Sequence, residues 1–114
     1  LNIPYLLHIC GNTERILPDM QTLGLDAVEL DYLTSEEEIY RCFHDRTTLF
    51  GTIDPSGVMT YGTPADVERE ARKLFDLYRG NPRLVIGAGC ALPPTAPEAN
   101  IRALVAVARA DSMY

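Results

Sequence analysis

Tyr5-Leu6-Leu7-His8-Ile9-Cys10-Gly11-Asn12 is an apolar run that ends in a histidine and a cysteine two positions apart and then meets a glycine. It reads as a β-strand that delivers polar side chains to its C-terminal end. Successive side chains on a strand point to opposite faces, so His8 and Cys10 share one face and can converge on a single ion. Leu84-Val85-Ile86-Gly87-Ala88-Gly89-Cys90 is again a short apolar strand running into a loop, and it puts Cys90 in the equivalent place. One imidazole and two thiolates are ligand types that zinc takes. The rival reading makes the cysteines small buried hydrophobes and His8 a hydrogen-bonded core residue. Neither the His-x-Cys pattern nor the distance to Cys90 matches a finger spacing that would decide between the two.

Between those strands, helical and extended patterns alternate. Asn12 or Thr13 is positioned to cap a helix with Ile16, Leu17, Met20 and Leu23 at helical spacing and Gly24 at its end, provided Pro18 falls in the first turn. A strand with an acidic end is predicted over Asp26-Ala27-Val28-Glu29-Leu30-Asp31-Tyr32. In the next helix Ser35 and Glu38 stand at capping-box spacing, and Ile39, Tyr40 and Phe43 face inward. The third strand, Thr47 to Ile53, runs into the turn sequence Asp54-Pro55-Ser56-Gly57. Thr63 as N-cap with Pro64 behind it opens a helix carrying Val67, Ala71, Leu74, Phe75 and Tyr78 on one face. After the fourth strand and a proline-rich loop, Pro97 opens a last helix with Ile101, Leu104, Val105 and Ala108 inward.

Four consecutive βα units with apolar strands imply an α/β fold with a parallel sheet covered by helices. Two architectures satisfy this, an open doubly wound sheet and a (β/α) barrel, and in both the functional residues gather at the C-terminal strand ends. His8, Cys10, Asp31, Asp54 and Cys90 all lie there. A barrel takes eight units and about 250 residues, so four units are half of one.

The chain has 114 residues, 46% hydrophobic and 23% charged, which is the balance of a globular sequence with one compact unit. A net charge of -6 and ten scattered Lys and Arg residues argue against a nucleic-acid surface. No apolar run approaches the roughly 18 residues of a membrane span. Three widely spaced cysteines suit a reducing compartment, and the chain reads as soluble and cytoplasmic. It begins without methionine and enters directly into a strand, as a piece of a longer protein would.

Leu7-His8-Ile9-Cys10-Gly11-Asn12-Thr13, Gly51-Thr52-Ile53-Asp54-Pro55, Tyr61-Gly62-Thr63-Pro64 and Gly87-Ala88-Gly89-Cys90-Ala91-Leu92-Pro93-Pro94, with Pro97-Glu98-Ala99-Asn100-Ile101, resemble the C-terminal half of the uroporphyrinogen decarboxylase superfamily. Within it they look like the zinc-dependent cobalamin methyltransferases of the methylcobalamin:coenzyme M type. The resemblance implies a (β/α)8 TIM barrel of which residues 1–114 are a single unit, the second half with strands five to eight. It implies zinc on His8, Cys10 and Cys90, and a displaceable carboxylate from the following strand, with Asp31 favoured and Glu29 in reserve.

The implied activity is zinc-dependent methyl transfer between a methyl-corrinoid on a partner protein and a small thiol, or from a methyl ether or methanol-type donor. Asp31 and, on the same rim, Asp54 are the catalytic candidates, although Asp54 before Pro55 also suits a plain turn. Decarboxylases of the superfamily use no metal and carry a histidine where Cys90 stands, so Cys90 speaks for methyl transfer. Gly51-Thr52 departs from the Gly-Asn common before the family's Asp-Pro. The alternatives are a half-barrel that binds metal without catalysis, and decarboxylation. A half-barrel also implies a partner, either a second copy or an N-terminal half.

The remaining candidates read as structural. His44 suits the C-terminal dipole of its helix, Cys42 packs, and Glu36-Glu37-Glu38 complements a helix N-terminus. Gly87-x-Gly89 lacks the third glycine of a dinucleotide site and meets Pro93-Pro94 where a helix should begin.

Overall fold

The computed structural model describes residues 2–111. Its strands are β1 (Leu6–Ile9), β2 (Ala27–Leu30), β3 (Thr48–Ile53) and β4 (Leu84–Ala88), and its helices are α1 (Leu17–Gln21), α2 (Glu36–Phe43), α3 (Pro64–Leu77) and α4 (Glu98–Ala110), with a 3-10 turn over Glu14–Ile16. The strands form one parallel sheet in the order β1-β2-β3-β4. That order decides between the two architectures, because a doubly wound sheet reverses direction at a switch point and this one never does. Right-handed crossovers in an unreversed order put every helix on the same side.

The register agrees with helices on one side. Leu7, Ile9, Val28, Leu30, Leu49, Leu84, Ile86 and Ala88 turn toward the helices and join Leu17, Met20, Ile39, Phe43, Val67, Leu74 and Val107 in one core. The alternate residues face the other way, with His8, Glu29, Phe50 and Val85 aligned across the sheet. On that inner face Leu6 is 45% and Val85 44% exposed. The fold is thus a singly wound α/β layer with helices on one side and, on the other, Leu6 and Val85 left exposed. No described helix is long and apolar enough to cross a membrane.

Local chemistry explains where the helices begin. Pro18 lies in the first turn of α1, where its missing N–H costs nothing, because the helix starts only at Leu17. Asn12 Oδ1 accepts the Glu14 N–H, while Thr13 turns inward and caps nothing. Leu17 and Met20 are buried as expected, but Ile16 and Leu23 are exposed. At α2 only half of the expected capping box forms. Ser35 Oγ accepts the Glu38 N–H at 3.4 Å, but Ser35's own N–H donates to Glu14 Oε1 instead of Glu38. The complete box belongs to α3, where Thr63 and Asp66 cap each other.

α4 is rotated from expectation. Its buried residues are Asn100 and Val107, with Ala103 and Leu104 against the core, whereas Ile101 and Val105 are exposed. The cause is Asn100, whose Nδ2 donates to the carbonyls of Met59 and Gly62 at 3.0 and 2.9 Å and so turns its own face of the helix toward the loop after β3.

Candidate metal centre

His8 leaves β1 on the inner face, and Cys10 follows it just beyond the strand end. His8 Nδ1 lies 2.9 Å from Glu29 Oε2 and 3.2 Å from the Glu29 carbonyl. Both partners only accept, which assigns the proton to Nδ1 and makes Nε2 the accepting side of the ring. Nε2 stands 3.1 Å from Cys10 Sγ, which stands 3.3 Å from Cys90 Sγ; the third side of the triangle, from Cys90 Sγ to Nε2, is 4.0 Å. Tetrahedral zinc with its usual bond lengths spaces such ligand atoms about 3.6–3.8 Å apart. The three sides straddle that value.

Among the described residues these three form the one group of metal-ligating side chains whose ligand atoms all lie within 4.8 Å of one another. The electrostatics also call for a cation. The Cys10 thiol is pushed above the usual range, first by its hydrogen bond with Cys90, then by burial, and further by the charges of Cys90, Asp31 and Glu29. A positive ion placed among these groups would favour the thiolate form.

β1 and β4 are the two edges of the sheet, three strand spacings or about 14 Å apart. Cys90 reaches Cys10 because the chain leaving β4 crosses over the ends of β3 and β2. A Cβ on Gly89 would stand 2.4 Å from the Leu30 carbonyl oxygen and 2.9 Å from Asp31 Cα. Gly51, at φ +127, lies beneath, and a Cβ there would be 2.8 Å from the same oxygen and 3.4 Å from Gly89 Cα. The Gly89 N–H donates to the Ile53 carbonyl at 3.0 Å and holds the crossing down. The glycine that looked like a fragment of a nucleotide motif is there for this close approach.

Asp31 stands at the end of β2 and is 8% exposed. Its Oδ2 accepts the Gly11 N–H at 2.9 Å, and its Oδ1 is buried with no hydrogen-bond partner. An orphaned buried carboxylate oxygen needs a donor or a cation. Even so, Asp31 is not within the ring of three, and Glu29 is engaged with His8 Nδ1 rather than turned toward the sulfurs. Asp54 is not brought to the ring either. Its Oδ1 accepts the N–H groups of Ser56 and Gly57, both at 2.9 Å, which organises the turn after β3.

The other candidates are structural. His44 ends α2, stacks on Tyr40 at 4.7 Å and bonds the Tyr40 carbonyl through Nδ1. Cys42 is buried. Glu36 accepts the Thr52 hydroxyl at 2.6 Å, and burial raises its carboxyl above the usual range.

The family model described as uroporphyrinogen decarboxylase (URO-D) matches residues 1–110. A methylcobamide:CoM methyltransferase, MtbA, from Methanosarcina mazei is 30% identical over 109 residues, covering 96% of this chain and 31% of the relative. A uroporphyrinogen decarboxylase from Vesicomyosocius okutanii is 25% identical over 104 residues, 91% of this chain and 29% of its own. Among solved structures, a methyltransferase from Methanosarcina mazei superposes with a TM-score of 0.80 at 27% identity, over 96% of this chain and 32% of that one. The chain spans about a third of the length of the curated relatives it matches.

Proposed function

The chain belongs to the uroporphyrinogen decarboxylase family, and from that premise we propose that it is the metal-bearing part of a zinc-dependent methyltransferase acting between a corrinoid and a thiol. The observation that carries the reading is the ring of His8 Nε2, Cys10 Sγ and Cys90 Sγ at the C-terminal rim of the sheet. A decarboxylation site has no need of paired thiols facing an oriented imidazole.

In this reading His8, Cys10 and Cys90 would hold zinc, and Asp31 Oδ1, buried without a hydrogen-bond partner, would be its carboxylate ligand. When bound, zinc supplies a positive charge that lets an incoming thiol ionise at neutral pH. The chain's own residues do the rest. Glu29 keeps the proton of His8 on Nδ1 and so leaves the Nε2 lone pair to face a metal. Asp31 Oδ1 would be a hard ligand that a softer sulfur could replace, while Oδ2 accepts the Gly11 N–H and fixes the side chain. Asp54 holds the shape of the rim beside the ring. The corrinoid arrives on a partner protein as the methyl carrier. A methyl ether or methanol-type donor is the reading to adopt if thiols are inert.

We place the four units as strands five to eight of a (β/α)8 barrel. The uncovered inner face and the two edge strands then meet the remaining units of the same protein. Light scattering that finds a two-fold assembly of this chain alone, with the inner face closed, would favour a second copy instead.

The test uses the full-length protein. Metal analysis should find about one zinc per chain, depleted by Cys10→Ser and by Cys90→Ser. A single-turnover reaction of methylcobalamin with a small thiol should lose the methyl-cobalt absorbance, and the same variants should abolish that loss. Full zinc occupancy in the double cysteine variant refutes the ligand set. A decarboxylase activity that survives removal of both cysteines refutes methyl transfer. In cobalt-substituted protein, Asp31→Ala should retain the metal yet lose the carboxylate-for-thiol exchange.

A further inference from the structure

We propose that Thr34, with Thr13 bonded to it, is the positioning residue of the ring: it clamps the residue after Cys10 to the loop that follows β2 and so sets where the Cys10 thiol stands. This rests on the zinc reading for its purpose but not for its geometry. Thr13 and Thr34 are 2% and 1% exposed. Thr34 Oγ1 meets the Thr13 N–H at 2.8 Å, the Thr13 hydroxyl at 2.9 Å and the Gly11 carbonyl at 3.2 Å.

A hydroxyl has one proton and two lone pairs. The Gly11 carbonyl can only accept, so the Thr34 proton goes there, and the two lone pairs take the N–H and O–H of Thr13. Every valence of Thr34 is thereby used. On the other side of the same residue, the Gly11 N–H donates to Asp31 Oδ2 at 2.9 Å. Both polar groups of Gly11 are thus gripped from the loop between β2 and α2. Asp31 takes the N–H and the Thr34 hydroxyl takes the carbonyl. Gly11 sits at φ +86 with no atom within 4 Å of the place its Cβ would take, and Cys10 itself is exposed. No atom packs at the Cβ position of Gly11, and the bonds from the Thr34 hydroxyl and Asp31 hold it.

Thr34→Val keeps the shape of the side chain and removes the clamp, whereas Thr34→Ser keeps the hydroxyl. Thr47→Val is the matched control, because Thr47 is 3% exposed and donates to the Leu25 carbonyl at 3.0 Å, at the opposite end of the sheet. Two probes read the site in the full-length protein. Zinc is measured by competition with a chromophoric chelator. A trivalent aryl arsenical needs only two thiols close enough to share one arsenic.

Thr34→Val should weaken both by about 10- to 100-fold, the usual effect of losing a group that orients a ligand, and Thr34→Ser should recover to within about threefold. Thr47→Val should lower the denaturation midpoint as Thr34→Val does, yet leave both affinities unchanged. An unchanged arsenical affinity in Thr34→Val, or no recovery with serine, overturns the proposal. Uptake of arsenical without zinc by the unsubstituted protein defeats the zinc reading alone, since the arsenical still judges the clamp. Should Thr34→Val fail to fold, Thr13→Val replaces it. That variant removes one of the bonds Thr34 accepts, so a several-fold arsenical loss supports the clamp and no loss overturns it.

Discussion

Replacing Gly89 by alanine would put a methyl group 2.4 Å from the Leu30 carbonyl oxygen and 2.9 Å from Asp31 Cα. Both neighbours are backbone at the end of an inner strand, so neither can swing aside as a side chain could. A relaxed carbon–oxygen contact is about 3.3–3.6 Å, so the loop has to rise by about 1 Å. Cys90 is the next residue and rises with it, while a metal site tolerates ligand displacements of only about 0.2 Å. In the metal-free chain the loop lifts at the cost of the Cys10–Cys90 contact and of the Gly89 N–H bond to the Ile53 carbonyl, with no ligand geometry to preserve. In the metal-bound chain it cannot lift. The overpacking strain, about 1–3 kcal/mol, therefore falls on the bound state, and zinc affinity should drop by about 5- to 150-fold. Gly87→Ala is the comparison, since nothing lies within 4 Å of its Cβ position on this chain and no left-handed backbone is required. Chelator competition on both variants, with metal-free thermal melts alongside, gives the answer. Equal affinities for Gly89→Ala and the unsubstituted chain, or an equal loss with Gly87→Ala, would refute the crossing as the device that delivers Cys90.

Glu29→Ala should weaken zinc by about 10- to 100-fold, and Glu29→Gln by less, because an amide oxygen still accepts the Nδ1 proton; titration against a chelator distinguishes the two. Zinc affinity should climb as pH rises through the ordinary thiol range, with protons released, because Cys10 holds its proton beyond that range and the metal must displace it. A flat profile between neutral and alkaline pH would contradict this. For metal-free folding the sign is opposite: the raised folded value favours the native state below the ordinary thiol range, and that increment disappears as pH passes the folded value. Asn100→Leu leaves the carbonyls of Met59 and Gly62 without their donor, at a cost of about 1–3 kcal/mol each. Urea denaturation should show the loss, and a variant as stable as the parent would deny Asn100 its role in orienting α4.

Alternation along two apolar strands was enough to set His8 beside Cys10 and to find Cys90, because a strand's period of two is a local property. The same holds for the four βα units and for Thr63 with Pro64, whose signals lie within a few residues. What could not be read locally depends on groups distant in sequence. Asn100 rotates α4 by bonding to carbonyls about 40 residues earlier, against the helix's own apolar stripe. Glu29, read from the sequence as a reserve ligand, is brought by the register beside His8 Nδ1. Ser35 lost half its capping box to Glu14 from the preceding unit. Gly89 carried a backbone meaning that appears only when the chain leaving β4 is known to pass over the end of β2. For Asp54, the turn reading drawn from Asp-Pro-Ser-Gly describes the bonds it makes.

The strand order has a consequence for how the fold holds together in time. Each strand pairs only with its sequence neighbours, so unravelling can start from either edge one unit at a time, as in a linear array. The contact between Cys10 and Cys90 spans 80 residues and joins the first unit to the last. A cation shared across it closes a loop of that length, and closing such a loop in the disordered chain costs about 4 kcal/mol of entropy. Ligation would therefore turn a row of units that fray separately into a ring that opens all at once. Native-state hydrogen exchange would register the change as β1 and β4 acquiring a common opening free energy.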